Sequence, residues 1–408
     1  MKLISFIIPS RNNLKYLKQA YNSIRKNTLY PHEICIADDA STDGTKEWVQ
    51  SIIDSGEDAC LKLHINEGPE RLGHTILYDT LINEYATHDR VMIFHADMYL
   101  CPKSDEAIDK HLKPGKVVSL TRIEPPLHPD GPEKILKDFG IEPEEFKEEE
   151  LLKEVTTLQL MHGTDYNFAK FTEGIFAPWA IYKEDFLKIG GHDPLYAPQS
   201  KEDSDIFNRF VLAGYELIQT WEGFVYHMSC RGSRFKDGAK RNPDGQVFMK
   251  GRESDEWLKQ NRKSTRNFVR KWGHFVMHDE MMYPIIPPKY DIGLSIYNCT
   301  PELMAALEPW CSVIYSDVDP NDVDSYIKVE QPNTLYDLTE RVRYITEDKD
   351  NDVVIEFDGS KWKDEHSGFI NNLTQILKDS GEVGTMDYEI FTLYIEKLET
   401  YEKELIKL

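Results

Sequence analysis

The feature that most constrains this chain is a strand–helix alternation across roughly its first hundred residues. Residues 3–8 (LISFII) are an apolar run stopped by Pro9-Ser10, which predicts a buried strand. Asn12 or Asn13 can cap a helix, and Leu14, Leu17, Tyr21 and Ile24 then recur at helical spacing. Residues 33–37 (EICIA) predict a second strand, residues 38–44 a turn, and Trp48, Val49, Ile52 and Ile53 a second helix. A third strand is expected over residues 60–65, a helix up to about Tyr85, and a fourth strand over residues 90–95. Apolar strands separated by helices require a parallel sheet covered on both faces, with right-handed crossovers.

Beyond residue 100 the alternation loosens. Pro125, Pro126, Pro129 and Pro132 predict a rigid loop, residues 144–154 an acidic helical segment, and residues 156–161 and 174–182 a return of apolar structure. Residues 187–191 read as a helix end with a Gly-Gly turn, and residues 202–212 as an amphipathic helix closed by Gly214. Two short strands are expected at residues 217–220 and 223–227. The proline cluster at residues 284–288 predicts a domain boundary. The expected division is residues 1–284, with one half over 1–100 and another over 155–284, and a smaller α/β unit over 285–408. In that unit strands are expected at residues 291–297, 312–316 and 353–357, and helices at 301–307, 335–346, 369–380 and 387–408.

Composition narrows the function. The 408 residues carry a formal net charge of −23, which argues against coating nucleic acid or an anionic membrane. No apolar run approaches the ~20 residues of a membrane span, the first residues are too short for a signal-peptide core, and the six cysteines show no C-x-x-C pair. The expectation is a soluble protein of a reducing compartment, the cytoplasm. Its charge is uneven: residues 285–408 carry net −15, whereas residues 229–274 carry net +8. G-x-x-x-x-G-K-S/T and G-x-G-x-x-G are both absent, which removes the main support for P-loop and dinucleotide-binding readings.

Ligands of open α/β sheets bind at the carboxyl ends of the strands. Pro9-Ser10-Arg11-Asn12 leaves the first strand, Asp38-Asp39-Ala40-Ser41 the second, and His95-Ala96-Asp97 the fourth. Taken singly, Asp38 and Asp39 are ordinary turn and capping residues; three such segments on one edge favour a site. An aspartate at a strand end suits a hard divalent cation that bridges phosphates, and an imidazole such as His227 can ligate Mn²⁺ beside it. Arg231, Ser233, Arg234 and Lys236 supply cations for a diphosphate. Glu202-Asp203 opens a helix, where acidic residues suit the dipole but can also project a general base. Trp179, Gly191 and His192 are expected on the acceptor side, the indole being suited to a sugar face.

In order and spacing, FIIPSRNN, CIADDASTDGT, FHADM, TEGIFAPWAIYKEDFLKIGGHDP, KEDSDIFNRFVLAGYEL and YHMS resemble glycosyltransferase family 2, over about residues 1–230. The resemblance implies an inverting transferase of the GT-A fold, a mixed and mostly parallel sheet with flanking helices, here followed by the smaller C-terminal α/β domain. It implies that Pro9, Arg11, Asp38 and Asp39 surround the base and ribose of a nucleotide-diphosphate sugar, most often a UDP-sugar, with His95 and Ala96 beside them. Asp97 would hold Mn²⁺ or Mg²⁺, with His227 completing the metal site. Asp203 would be the base, Glu202 would orient the acceptor, and Arg231 and Arg234 would close over the diphosphate. Two departures stand out. His95 occupies the first position of the family's D-x-D, and residues 66–74 match N-x-G-x-x-x-A-x-N only in part, with Arg71 reaching toward the base.

The acceptor would be a hydroxyl on a glycan, a glycoprotein or a lipid-linked sugar. Competing readings are a non-catalytic nucleotide-sugar-binding or scaffold protein, for which His95 speaks, and a transferase acting on modified DNA bases, for which the +8 stretch speaks. A nucleotidyltransferase would need a glycine-rich activating loop near the first strand, and none is present. For residues 285–408 acceptor recognition or self-association is expected from position alone. The aspartates at 317, 319, 322 and 324 read as a solvated acidic turn, because they lack the glycine and glutamate of an EF-hand loop.

Overall fold

The computed structural model describes residues 3–163, 176–229, 238–249 and 253–408. They gather into two compact units, Met1–Gln260 with His278–Pro284 and Leu408, and Asn261–Met277 with Ile285–Lys407. The stretch Asn261–Met277 therefore groups with the second unit, not with the residues up to 284.

The first unit is built on a mixed sheet. Its strands are β1 (Ile4–Ser10), β2 (His32–Asp39), β3 (Leu61–Asn66), β4 (Arg90–Ile93), β5 (Met98–Leu100), β6 (Lys116–Glu124), β7 (Lys134–Leu136), β8 (Trp179–Tyr182) and β9 (Glu216–His227). The order is β3-β2-β1-β4-β8-β6-β9-β5, with β7 paired to β6. β1, β2, β3 and β4 are mutually parallel, as the opening alternation predicts. β8 then runs antiparallel to both β4 and β6, which returns β6 and its parallel neighbour β9 to the direction of β4. The carboxyl ends of β1, β2, β4, β6 and β9 consequently share one edge.

Helices α1 (Leu14–Asn27), α2 (Thr45–Ser55), α3 (Gly73–Thr80), α4 (Ser104–His111), α5 (Glu148–Gly163), α6 (Lys183–Lys188) and α7 (Glu202–Leu212) complete the unit. The apolar stretch at residues 156–161 is the end of α5, not a separate element. The two short strands expected at residues 217–227 are one strand, β9, whose pairing with β6 jumps from Leu120↔Thr220 to Thr121↔Phe224. β5, α4 and β6 are elements the sequence reading passes over. A helix α8 (Asp255–Trp272) follows; from Asn261 on, its residues group with the second unit.

The second unit carries a six-stranded sheet of β12 (Ile292–Tyr297), β13 (Val313–Ser316), β14 (Val342–Tyr344), β15 (Val353–Asp358), β16 (Gly384–Tyr388) and β17 (Phe391–Ile395), the short hairpin β10 (Ala239–Arg241) and β11 (Val247–Met249) belonging to the first. The order β14-β13-β12-β15 is parallel, and β17 and β16 add an antiparallel edge. Helices α9 (Pro301–Leu307), α10 (Pro320–Glu330), α11 (Leu338–Arg341), α12 (Ser367–Asn371) and α13 (Leu373–Ser380) flank it.

Three expectations are corrected here. Residues 335–346 are not one helix but the single turn α11 running into β14. Residues 387–408 are not a helix: Phe391, Leu393 and Ile395 are buried at a period of two, the signature of a half-buried strand. The aspartates after β13 are not one solvated turn. Asp317 accepts the backbone N–H groups of Asn298 and Cys299, Asp319 caps α10, and the other two lie within that helix.

Three arginines of the basic stretch at residues 229–274 have acidic partners. Arg241 pairs with Asp138 and Glu145, Arg266 with Glu330, and Arg270 with Glu308 and Glu330. Glu308 is fully buried and also accepts from Arg341 Nε at 2.7 Å and Tyr326 Oη at 2.8 Å. Burial alone would raise its pKa; the guanidiniums of Arg270 and Arg341 outweigh burial and hold it at about 2. A folded pKa below the unfolded value contributes stability that is present above about pH 4 and lost as pH falls toward 2. Glu308→Gln leaves the buried Arg270 and the half-buried Arg341 short of charge and is expected to cost about 3–5 kcal/mol at neutral pH. Denaturant unfolding of the full chain checks this; the variant should also lose part of the wild type's destabilisation between pH 4 and 2, and wild-type stability in Glu308→Gln would refute it.

Candidate active site

The shared strand edge decides what meets what. β4 ends at Ile93, and the chain turns through His95, Ala96 and Asp97 into β5, whose Met98 pairs with His227 at the end of β9. His95, Asp97 and His227 each present one ligating atom, and these atoms all lie within 4.8 Å of one another. His227 Nε2 is 3.4 Å from Asp97 Oδ1, and its other nitrogen, Nδ1, is 2.8 Å from Glu124 Oε1. Glu124 ends β6, is buried, and lies 3.3 Å from Arg122.

Burial alone would lower the pKa of His227; the carboxylates of Asp97 and Glu124 reverse this and raise it to about 9. Burial would raise Asp97, but His227 holds it down. His95, desolvated without enough compensation from Asp97, drops to about 3 and is neutral. Two imidazoles and a carboxylate converging at this spacing are a donor set that a divalent transition cation accepts, so the residues present fit Mn²⁺.

The second expected cluster is built differently. Asp39 is buried and its carboxylate is used internally: Oδ1 accepts from Asn66 Nδ2 at 2.7 Å and Leu72 N at 2.9 Å, and Oδ2 from Gly73 N at 2.9 Å. Its role here is to fix the segment between β3 and α3 against β2. Gly73 is required there, with φ of +81° and a backbone so close to Pro198 that a Cβ would lie 2.0 Å from the Pro198 carbonyl oxygen. Arg11 donates to the Asp39 carbonyl oxygen at 3.2 Å, and Arg71 donates to Gln199 Oε1 at 2.6 Å and lies 3.5 Å from Glu256. Burial raises the Asp38 carboxyl, whose Oδ1 is buried without a partner among the described residues. Pro9 is half-buried within β1 and Ala96 is buried in the β4–β5 turn.

The third cluster opens α7. Ser200 and Lys201 both adopt positive φ, 82° and 74°, a conformation unfavourable for non-glycine residues that delivers Glu202 and Asp203 to the helix start. Glu202 is buried, its Oε1 is held by His74 Nε2 at 2.6 Å, and its Oε2 is buried without a partner among the described residues. Burial would lower His74, but Glu202 raises it; burial would raise Glu202, but His74 lowers it. Asp203 stays half-buried, and burial followed by the charge of Glu202 raises its pKa to about 6. Burial also pushes the Tyr78 phenol well up, reinforced by Asp203, Glu202 and Asp97, which places this one side chain in the field of both carboxylate groups.

The expected acceptor residues are corrected. Trp179 is fully buried because β8 lies between β4 and β6, and its ring packs against Phe186, Phe207 and Phe210. The His192 ring is buried too, with Nδ1 2.7 Å from Asp79 Oδ1 and its face stacked on Tyr78. Gly191 has φ of +75°, and a Cβ there would lie 2.0 Å from Asp79 Oδ2. All three are buried in this structure. Arg231 and Arg234 lie outside the described residues. Glu124, His74 and Tyr78 were not singled out from the sequence; Glu124 could have been, as the last residue of an apolar run stopped by Pro125-Pro126.

Against this geometry the comparisons are informative. Residues 5–168 match the family model of glycosyl transferase family 2. This segment belongs to that family. The family 2 match includes Arg11, Asp39, Asp97 and Glu124 and ends before Glu202, Asp203 and His227. A 49-residue stretch is 49% identical to the abequosyltransferase RfbV of Salmonella typhimurium, covering 12% of this chain and 15% of that protein. Among solved structures, the mannosyltransferase PcManGT from Pyrobaculum calidifontis, in complex with GDP-Man and Mn²⁺, is 19% identical with a TM-score of 0.40, covering 57% of this chain and 58% of that one. GalNAc-T7 with UDP, GalNAc and Mn²⁺ is 14% identical with a TM-score of 0.45, covering 80% of this chain and 54% of that one. The chain thus spans less than two thirds of each of these proteins. The mixed α/β sheet of the first unit is that expected of a GT-A fold. Among the described residues no helix is long and apolar enough to cross a membrane.

Proposed function

We propose that this chain is an inverting glycosyltransferase that moves a sugar from a nucleotide-diphosphate donor, UDP-linked by preference, to an acceptor hydroxyl on a glycan or glycoconjugate. The observation that supports it best is a cluster able to ligate a cation, Asp97 with His95 and His227, together with a half-buried aspartate of raised pKa, Asp203, whose charge and that of Asp97 both act on Tyr78. When bound, a divalent cation would supply Lewis-acid stabilisation to the departing diphosphate. Asp97 and His227 would hold it, with Glu124 fixing the imidazole.

The remaining steps belong to side chains. Asp203 accepts the proton of the acceptor hydroxyl as its oxygen attacks the anomeric carbon, the single base a direct displacement needs. The His74–Glu202 pair keeps the neighbouring Glu202 charge compensated, so that Asp203 stays within reach of deprotonation near neutral pH. Arg11 and Arg71, ordered by Asp39 and Gln199, flank the nucleotide.

Calorimetric titration of UDP and GDP with and without Mn²⁺ tests the donor side. One Mn²⁺-dependent nucleoside diphosphate site per chain is expected. Absence of binding to either nucleotide with Mn²⁺ present would remove the reading.

A further inference from the structure

We propose that His95 is a metal ligand and not a nucleotide contact, so that the site holds its cation through two imidazoles and one carboxylate and discriminates against Mg²⁺. This rests on the proposed function only for the presence of a cation. From sequence, His95 stands where a ribose-contacting aspartate is expected. Its ligating nitrogen falls in one cluster with Asp97 and His227, and its ring meets that of His227 edge-on at 5.9 Å between centroids.

The spacing suits coordination. Donors bound at ~2.1 Å and at right angles lie ~3 Å apart, and His227 Nε2 is 3.4 Å from Asp97 Oδ1. The orientation of His227 is set from behind. Glu124 takes Nδ1 at 2.8 Å and is itself buried beside Arg122, which leaves Nε2 for the cation. Mg²⁺ prefers an octahedron of oxygens and dehydrates reluctantly. Imidazole suits Fe²⁺, Ni²⁺, Cu²⁺ and Zn²⁺, and affinity for a nitrogen site rises along the Irving–Williams order from Mn²⁺, the first-row ion with which it begins. A second imidazole in place of a carboxylate therefore trades charge for softness and selects a transition cation.

The test needs no turnover. The full chain is titrated with Mn²⁺, with and without UDP, followed by calorimetry and by electron paramagnetic resonance, and Mg²⁺ is added in competition. Mn²⁺ is expected to bind at least about tenfold more tightly than Mg²⁺, and nitrogen couplings in ¹⁵N-histidine-labelled protein should count two imidazoles. His95→Asp is expected to remove one of the two couplings and to narrow the preference toward Mg²⁺. A single imidazole coupling in wild type, equal competition by Mg²⁺, an unchanged preference in His95→Asp, or no Mn²⁺ binding with UDP present would overturn the proposal. If selectivity fails while sugar nucleotides are turned over, the transferase reading stands without it. If two imidazoles bind Mn²⁺ and no donor is turned over, this proposal stands and that reading falls.

Discussion

Asp203→Asn is expected to abolish sugar transfer while leaving donor affinity within about twofold of wild type. Positioned general bases contribute about 10²–10⁴-fold, and an amide of the same shape cannot take the proton. The pH dependence gives the same residue a second signature. Burial and the adjacent Glu202 raise the Asp203 pKa to about 6. The deprotonated form is the active one, so the wild-type rate should rise with pH through about 6 and level off above it. The residual rate of Asp203→Asn should lack that acid limb. Steady-state rates across pH 5–8, with donor affinity measured separately, check both. Wild-type transfer in the variant would remove Asp203 as the base.

Asp97→Ala should have the complementary effect. Outer partners of metal ligands cost about 10–100-fold in metal affinity when lost, and a ligand itself should cost at least the upper figure. Asp97 is the cluster's single carboxylate among His95, Asp97 and His227, so its loss leaves two imidazoles beside a cation whose diphosphate partner is anionic. Mn²⁺-dependent affinity for UDP is expected to fall about a hundredfold or more, with the fold intact by circular dichroism. Unchanged Mn²⁺-dependent affinity would contradict the ligand assignment.

The two variants separate binding from chemistry, and their contrast shows how far the site was legible in the sequence. The parallel half of the sheet was readable because each strand is a short apolar run closed by turn residues, and the end of each run then named its own candidates: Arg11, Asp39 and Asp97. Topology carried the rest. Glu124 reaches His227 because β6 and β9 pair in parallel with Ile123 opposite Tyr226, and no local pattern announces that pairing. Strand order also misled the reading of Trp179. An indole near a Gly-Gly turn suits a sugar, yet β8 is an inner strand with both neighbours in place, and its indole fills the core.

Charge patterning was similarly ambiguous. Of the basic stretch at residues 229–274, Arg241, Arg266 and Arg270 are matched to Asp138, Glu145, Glu308 and Glu330, while Arg231, Ser233, Arg234 and Lys236, the residues that invited a diphosphate, lie outside the described residues. Sequence proximity groups cations that the fold assigns to different acidic partners. In the C-terminal unit, Phe391, Leu393 and Ile395 alternate as a strand, and the surrounding glutamates and lysines disguised that run as helix.

The central claim is turnover of a sugar nucleotide under control of this cluster. The most direct measurement incubates the full chain with a panel of UDP-, GDP- and dTDP-sugars and Mn²⁺ and follows release of the nucleoside diphosphate by chromatography. Release from at least one donor is predicted, stopped by chelation, restored by Mn²⁺ and absent in Asp203→Asn. Binding of UDP with Mn²⁺ but no transfer or hydrolysis of any donor would contradict the account and leave a nucleotide-binding protein in its place.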